Sequence, residues 1–211
     1  MKRFDLSLYL VLDSDLCAAI GMIETARLAV AGGATMVQLR DKHAGTLRMI
    51  ETGRALKQAL AGTGALLIVN DDVEAAVAIG ADGLHIGQED MDARTARTMI
   101  GPDMILGLSV ETAPLASAVD PGLVDYTGVG PVFATPTKAD HKQPIGFDGL
   151  ARLVKASPVP SVAIGGLKAE HVAEVFTAGA RGLAVVSAIA GTPDPEAATR
   201  RIAAEIRKVR P

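Results

Sequence analysis

The segment Val37-Gln38-Leu39-Arg40-Asp41-Lys42 passes from an apolar, β-rich run directly into charged residues. The same change occurs in Leu66-Leu67-Ile68-Val69-Asn70-Asp71. Eight short apolar runs in the chain end in polar or glycine-rich tips of this kind, and Ala-rich stretches with helical spacing separate them. The alternation is typical of repeated βα units. A parallel barrel places all its strand ends at one face, so residues distant in sequence can surround one substrate.

The periodicity predicts eight strands and eight helices. The strands are expected at 6–12, 36–40, 66–70, 83–86, 104–109, 125–129, 161–164 and 182–186. The helices are expected at 18–31, 46–60, 73–79, 91–100, 112–119, 147–155, 169–178 and 195–209. This order predicts a protein of the α/β class, a single (β/α)8 TIM barrel that occupies residues 1–211 as one catalytic domain. Glycines at the joints 31–34, 79–83 and 178–182 suit left-handed helix caps at the bottom of such a barrel.

A doubly wound open sheet is the main structural alternative, because it also alternates strands and helices. Its nucleotide-binding form needs a glycine-rich turn after the first strand. This chain has Asp13-Ser14-Asp15 at that place, a tip to which the sequence assigns no role. The barrel is therefore favoured.

Composition narrows the class of protein. Of the 211 residues, 49% are hydrophobic but only 3% aromatic, which suits the close packing of helices on a sheet. A net charge of −3 gives no basic field for nucleic acid or anionic lipid, and no apolar run approaches the ~20 residues that span a bilayer. The single cysteine, Cys17, fits a reducing compartment. We expect a soluble cytoplasmic protein with small-molecule partners and neither nucleic acid nor membrane; homo-oligomerisation is left open.

Acidic residues follow strands 3 and 4. Asp71 and Asp72 follow one, and Asp90 follows the other, so their carboxylates should lie close together. One or two carboxylates with substrate phosphate oxygens are a usual environment for Mg²⁺. Helix capping by Asp72 and by Asp90 or Asp92 is the alternative. The pattern alone favours capping, although one aspartate can cap while its neighbour binds a metal.

Basic residues occur at the same predicted face, at Arg40, Lys42 and Lys138. Cations beside a metal would neutralise charge on a polyphosphate leaving group. Solvation at the surface is the alternative for any single lysine. It is weaker for Arg40 and Lys42, because they continue an apolar run without a turn.

Two further tips suit the binding of a phosphate. The stretch YTGVGPVFATPTK at 126–138 combines a fixed, open backbone with hydroxyl groups and an ammonium group, and the loop 130–146 is long enough for a lid. Ile164-Gly165-Gly166 and Val185-Val186-Ser187 end strands 7 and 8, where barrels often bind phosphate through backbone N–H groups. An ordinary surface loop and a plain turn are the alternatives.

The histidines do not suggest a catalytic triad. His85 lies within strand 4 and is interpreted as a hydrogen-bonded interior residue rather than a base. Without a Ser–His–Asp or Cys–His arrangement, covalent nucleophilic catalysis is disfavoured.

Seven segments in order resemble the thiamine phosphate synthase family: VQLRDK at 37–42, VNDD at 69–72, HIGQED at 85–90, GLSV at 107–110, GVGPVFATPTK at 128–138, AIGG at 163–166 and VVSAI at 185–189. The resemblance implies a barrel that joins hydroxymethylpyrimidine diphosphate to thiazole phosphate, with Mg²⁺ as the cofactor and pyrophosphate as the leaving group.

The resemblance also implies roles for individual residues. The positions that hold the pyrimidine diphosphate correspond to Gln38, Arg40, Lys42, Asn70 and Lys138, and the same substrate-binding segments include Leu39, Asp41 and Pro136. The Mg²⁺ ligands correspond to Asp71 and Asp90, which leaves Asp72 for the helix cap. The thiazole phosphate positions correspond to Thr135, Thr137, Gly166, Val186 and Ser187. Ser109 corresponds to a serine near the reacting pyrimidine and completes a catalytic set with Arg40, Lys42 and Lys138.

The implied mechanism is dissociative. The 4-amino group of the pyrimidine pushes electrons toward the breaking CH₂–O bond, and the thiazole nitrogen captures the resulting cation without a general base. A thiazole tautomerase of the same superfamily is one alternative, but it would not need Asp71, Asp90 and the diphosphate-binding residues. A non-catalytic barrel that binds a phosphorylated ligand is the other.

Overall fold

A computed structural model describes residues 4–135 and 143–210. Within these ranges, eight parallel strands close into a barrel in sequence order, with β8 paired to β1. The strands are β1 Leu8–Asp13, β2 Met36–Arg40, β3 Leu66–Asn70, β4 Gly83–Ile86, β5 Ile105–Val110, β6 Tyr126–Val129, β7 Ser161–Ile164 and β8 Leu183–Val185. The helices are α1 Met22–Gly32, α2 Thr46–Leu60, α3 Val73–Ile79, α4 Ala93–Ile100, α5 Ala113–Ser117, α6 Gly146–Ala156, α7 Val172–Thr177 and α8 Pro195–Val209.

The predicted α/β class and (β/α)8 barrel are confirmed, and β2, β3, β4, β7, α2, α3 and α8 have the predicted bounds. The first helix was predicted to begin at residue 18 but begins at Met22. The segment before it forms a turn, because the Asp13 carboxylate accepts the backbone N–H of Leu16 and the Asp13 carbonyl accepts that of Cys17. The helix predicted at 169–178 is divided into a 3₁₀ turn, Ala169–His171, and α7.

Side chains alternate between two layers along each strand. Tyr9, Ile68, Tyr126 and Val162 belong to a cluster inside the barrel. The residues that alternate with them, such as Leu39, belong to a larger cluster that packs the sheet against the helices. Since alternate residues share a face, the inward side chains nearest the carboxyl ends of the strands form the floor and wall of the barrel mouth.

The opposite end of the barrel is held by helix caps and a largely buried ion pair. Gly33 and Gly80 end α1 and α3 in the left-handed conformation, with φ of 113° and 63°, as the sequence predicts. The Arg97 guanidinium donates to the Asp125 carboxylate at 2.8 Å and to the carbonyl oxygens of Gly101, Met104 and Leu123. These contacts join α4 to the start of β5 and β6. Across the described ranges, helices lack the combined length and apolar character needed to cross a membrane.

Candidate active site

A cavity of about 410 Å³ opens at the carboxyl ends of the strands. Inward-facing residues of β2, β3 and β5 line one part of it, and the loops after β6, β7 and β8 line another. The structure brings eight of the predicted site residues to this cavity: Gln38, Arg40, Asn70, Ser109, Thr135, Gly166, Val186 and Ser187. Residues from six strands or strand-end loops therefore meet at one mouth, as the barrel geometry predicts.

A second hollow of about 300 Å³ adjoins the first, because Arg40 and Asn70 line both. Asp41, Lys42 and Asp71 line this second hollow. The basic segment after β2 and Asp71, which were expected at the diphosphate, thus line a hollow that shares two lining residues with the main cavity.

Two carboxylates from adjacent strand ends meet beside this hollow. Asp90 lies close enough to Asp71 for its carboxyl group to raise the pKa of Asp71, and it also accepts the backbone N–H of Gly87 at 2.7 Å. Asp71 has a φ of 60°, a left-handed conformation that is uncommon for a residue with a side chain and often marks a functional position. Its carboxylate also accepts the side-chain N–H of Asn70.

The electrostatics of Asp71 reflect this crowding. Desolvation by the surrounding protein atoms, followed by the hydrogen bond and charge of Asp90, raises the pKa of Asp71 to about 7, and Arg40 opposes the shift. Paired carboxylates repel each other when both are ionised, and a divalent cation relieves that repulsion. In the part of the chain that the structure describes, no group of three or more His, Cys, Asp or Glu side chains has a metal-binding arrangement. A pair of carboxyl groups is a donor set that would suit Mg²⁺ held also by substrate phosphate and water.

The competing capping role falls to other aspartates. Asp72 caps α3 by accepting the backbone N–H of Ala75 at 2.8 Å. Asp92 caps α4 by accepting from the backbone of Arg94 and Thr95, both at 3.1 Å. Neither Asp71 nor Asp90 caps a helix, and Asp71 lines the second hollow.

The first strand tip, which received no role from the sequence, supports the basic segment after β2. The Asp13 carboxylate lies 3.8 Å from the largely buried guanidinium of Arg40, its partner in strand register. Ser14 donates to the carboxylate of Asp41 at 3.1 Å, and the backbone N–H of His43 donates to the same oxygen at 3.0 Å. These contacts fix the orientation of Arg40 and the path of the chain through Asp41.

Leu39 does not face the cavity with its side chain. The side chain is fully buried in the layer between sheet and helices, beside Gly53 of α2. Its predicted place in the substrate-binding set is thus not supported for the side chain, because the strand alternation turns it away while Gln38 and Arg40 face inward.

The glycines after β7 allow the loop after β6 to pack directly on them. Gly165 and Gly166 have φ of 107° and 65°, and a Cβ on either would lie within 2.8 Å of Pro131 or Phe133. The backbone N–H of Phe133 donates to the Gly165 carbonyl at 3.0 Å. This close approach brings Thr135 to the cavity wall. The predicted residues Pro136, Thr137 and Lys138 lie outside the described residues.

A chain of hydrogen bonds lies beneath the cavity. Gln38 Nε2 donates to the Tyr9 hydroxyl at 2.8 Å, and the hydroxyls of Tyr9 and Tyr126 are 3.0 Å apart. His85 connects the Tyr126 hydroxyl at Nδ1 with the Ser109 hydroxyl at Nε2, each at 3.0 Å. Burial raises the pKa of both tyrosines, so both phenols stay protonated. His85 is the hydrogen-bonded interior residue that the sequence predicted.

Sequence reasoning missed Tyr9 and Glu111, which also line the cavity. Strand alternation supplies the signal that could have found them. Glu111 follows Ser109 by two residues along β5 and its end, and Tyr9 is opposite Met36 and two residues from the inward Val11.

The mouth of the barrel, with its acidic pair, its basic segment and its glycine loop, places the protein among TIM barrels that act on phosphorylated small molecules. Comparison with known proteins narrows this class. Residues 8–189 match the family model described as thiamine monophosphate synthase. The chain is 50% identical over 199 residues to the thiamine-phosphate synthase of Azorhizobium caulinodans, with 94% of each chain covered.

Other relatives agree. The thiamine-phosphate synthase of Xanthobacter autotrophicus is 50% identical over 209 residues, with 99% of each chain covered. The structure of a thiamine phosphate pyrophosphorylase from Pyrococcus furiosus superposes with a TM-score of 0.88 at 36% identity, with 98% of each chain covered. The chain belongs to the thiamine monophosphate synthase family.

Proposed function

We propose that the protein transfers the pyrimidinylmethyl group of 4-amino-2-methyl-5-hydroxymethylpyrimidine diphosphate to 4-methyl-5-(2-phosphooxyethyl)thiazole, forming thiamine phosphate and pyrophosphate. The observation that carries the proposal is that the two hollows are adjacent and share lining residues. Arg40 and Asn70 line both the main cavity and the hollow beside the acidic pair, while Gly166 and Ser187 line another part of the main cavity. A reaction between one substrate that carries a diphosphate and another that carries a monophosphate needs two phosphate-binding regions around one reacting centre.

Mg²⁺ is part of the proposal, with Asp71 and Asp90 as its protein ligands. The proximity of the two carboxyl groups suits a divalent cation, which would offset the repulsion between them when both are ionised. When bound, Mg²⁺ would supply positive charge to the diphosphate and stabilise the pyrophosphate that leaves. Arg40 and Lys42 add fixed cationic charge at the same hollow.

The residues of the chain contribute binding, orientation and exclusion of water. Electrons of the pyrimidine 4-amino group help to break the CH₂–O bond, and the neutral thiazole nitrogen then forms the new C–N bond without losing a proton. Arg40 and Lys42 stabilise the negative charge that develops on the departing oxygen. Val162, Ile164 and Val186 give the cavity an apolar wall that keeps water from capturing the cation.

The decisive experiment combines the purified protein with both substrates and Mg²⁺ and quantifies pyrophosphate and thiamine phosphate together. Equal yields of the two products are expected, with loss of both after chelation by EDTA. Omission of the thiazole phosphate controls for simple hydrolysis. Binding of both substrates without product would instead identify a non-catalytic barrel, and conversion of a thiazole phosphate alone to its tautomer would identify a tautomerase.

A further inference from the structure

The chain of hydrogen bonds beneath the cavity forms a single file, called the file below, that crosses the barrel interior. It joins two residues proposed to contact the pyrimidine substrate. It runs from Gln38 through Tyr9, Tyr126 and His85 to Ser109, with 2.8 to 3.0 Å between successive polar atoms. Tyr9, Tyr126 and His85 are 1%, 0% and 8% exposed. Hydroxyl groups buried as deeply as those of Tyr9 and Tyr126 need hydrogen-bond partners, and their neighbours in the file supply them.

The first bond of the file has a fixed direction. The Gln38 amide nitrogen donates to the Tyr9 oxygen, and an amide nitrogen does not accept. If every bond runs in the same direction as this first one, Tyr9 donates its one hydroxyl hydrogen to the Tyr126 oxygen, and Tyr126 donates to Nδ1 of His85. A neutral imidazole that accepts at Nδ1 carries its hydrogen at Nε2. His85 therefore donates to the Ser109 oxygen.

Glycines in β5 and β6 leave room for the His85 ring. A Cβ at Gly107 would lie 2.4 Å from Nδ1 of His85, and a Cβ at Gly128 would lie 3.1 Å from its Cε1. Gly107 and Gly128 are register partners of His85 and Ser109, respectively. The absence of side chains at these two positions lets the imidazole lie across β5 and β6, between Tyr126 and Ser109.

We propose that His85 is a positioning residue, held by Tyr126 as the neutral Nε2–H tautomer, that turns the Ser109 hydroxyl hydrogen into the cavity. Ser109 then meets the pyrimidine substrate as a hydrogen-bond donor to a ring or ester acceptor. This inference rests on the proposed function for the identity of the substrate. The tautomer of His85, however, is a property of the free protein and is measurable without substrate.

Nitrogen NMR of protein labelled with ¹⁵N-histidine tests the tautomer at neutral pH, with the His85 signals assigned by their loss in His85→Gln. We expect a protonated Nε2 and an unprotonated Nδ1. Tyr126→Phe keeps the aromatic ring but removes the donor to Nδ1, and should shift both signals toward a mixture of tautomers. A wild-type protein with hydrogen at Nδ1, or with both nitrogens protonated, would overturn the proposal, as would unchanged signals in Tyr126→Phe.

Thr127→Val is the matched control for Tyr126→Phe. Thr127 is the next residue of β6, and its buried hydroxyl bonds to that of Ser161 at 2.8 Å, on the other side of the strand. This variant also loses a buried hydrogen bond, but it should leave the His85 signals in place. A shift as large as that of Tyr126→Phe would mean that the signals report general loosening of the strand, and the proposal would fail.

Kinetics test whether His85 acts through Ser109. His85→Asn keeps an acceptor near the Tyr126 hydroxyl but removes the donor to Ser109, and should lower kcat/KM for the pyrimidine diphosphate about 10-fold. In a Ser109→Ala background the same substitution should change kcat/KM by less than about 2-fold, because the two residues act as a unit. Equal fold losses in both backgrounds would overturn the proposal. Failure of the wild type to form thiamine phosphate would refute the proposed function and leave the NMR result to decide the tautomer.

Discussion

Replacing Gly107 with alanine should destabilise the free protein without adding a charge or removing a hydrogen bond. The new Cβ would lie 2.2 Å from Cζ of Tyr126 and 2.4 Å from Nδ1 of His85, whereas ordinary contact begins at 3.4 Å. One ring or the strand must therefore move by about 1 Å. Tyr126 is fully buried and hydrogen-bonded to both Tyr9 and His85, so it has little freedom to yield. Overpacking of this kind costs about 1–3 kcal/mol, and we expect the upper half of that range.

Urea unfolding followed by circular dichroism measures the loss, with Gly128→Ala as the matched control. A Cβ at Gly128 meets the same imidazole at 3.1 Å and 3.4 Å, distances that a slight shift relieves, so its cost should stay below about 1 kcal/mol. Thermal midpoints should fall by about 2–4 °C for each kcal/mol lost. Equal losses from the two variants, or a larger loss from Gly128→Ala, would refute the steric reasoning.

Three other substitutions separate stability from catalysis. Arg97→Met removes the guanidinium from the largely buried Asp125 carboxylate at the bottom of the barrel. The free energy of unfolding measured in urea should fall by about 3 kcal/mol. The kcat/KM of the folded enzyme should stay within about 2-fold, because the active site lies at the other end of the barrel. Asp71→Asn should raise the Mg²⁺ concentration for half-maximal activity at least about 10-fold. Asp92→Asn, which alters only a helix cap, should leave that concentration unchanged. The same dependence of activity on Mg²⁺ concentration in both variants would contradict the ligand assignment. Lys138→Ala should lower kcat about 10²-fold by the loss of one transition-state donor, and near-normal turnover would exclude that role.

The fold was predictable from sequence because most βα units carry their own local signals. The strands β2, β3, β4 and β7 are apolar runs bounded by polar residues or glycine, and their predicted ends match those of the structure. The start of α1 was not predictable from periodicity. It depends on the Asp13 carboxylate, which accepts the Leu16 backbone N–H and stabilises a turn where helical spacing had already begun.

The acidic pair was predictable in position, but its role was not separable from capping by sequence alone. Asp71 and Asp90 follow adjacent strands, and in a parallel barrel this suffices to bring them together. The distinction from Asp72 and Asp92 depends on which side chain reaches the backbone N–H groups of the next helix. The contact between Asp13 and Arg40 was not predictable from the sequence either, because it depends on the register of β1 against β2.

Alternation along the strands decides which residues of a matched segment reach the substrate. A family motif is continuous in sequence, yet its odd and even positions in a strand face opposite layers, so Gln38 and Arg40 line the cavity while Leu39 packs against α2. The same alternation places three residues on one face of β5 and its end, each nearer to the mouth of the barrel than the one before. Gly107 leaves room for the His85 ring, Ser109 bonds to that ring, and Glu111 lines the mouth two residues later. A polar residue two positions beyond Ser109 is for that reason a stronger candidate for substrate contact than the residue directly beside it.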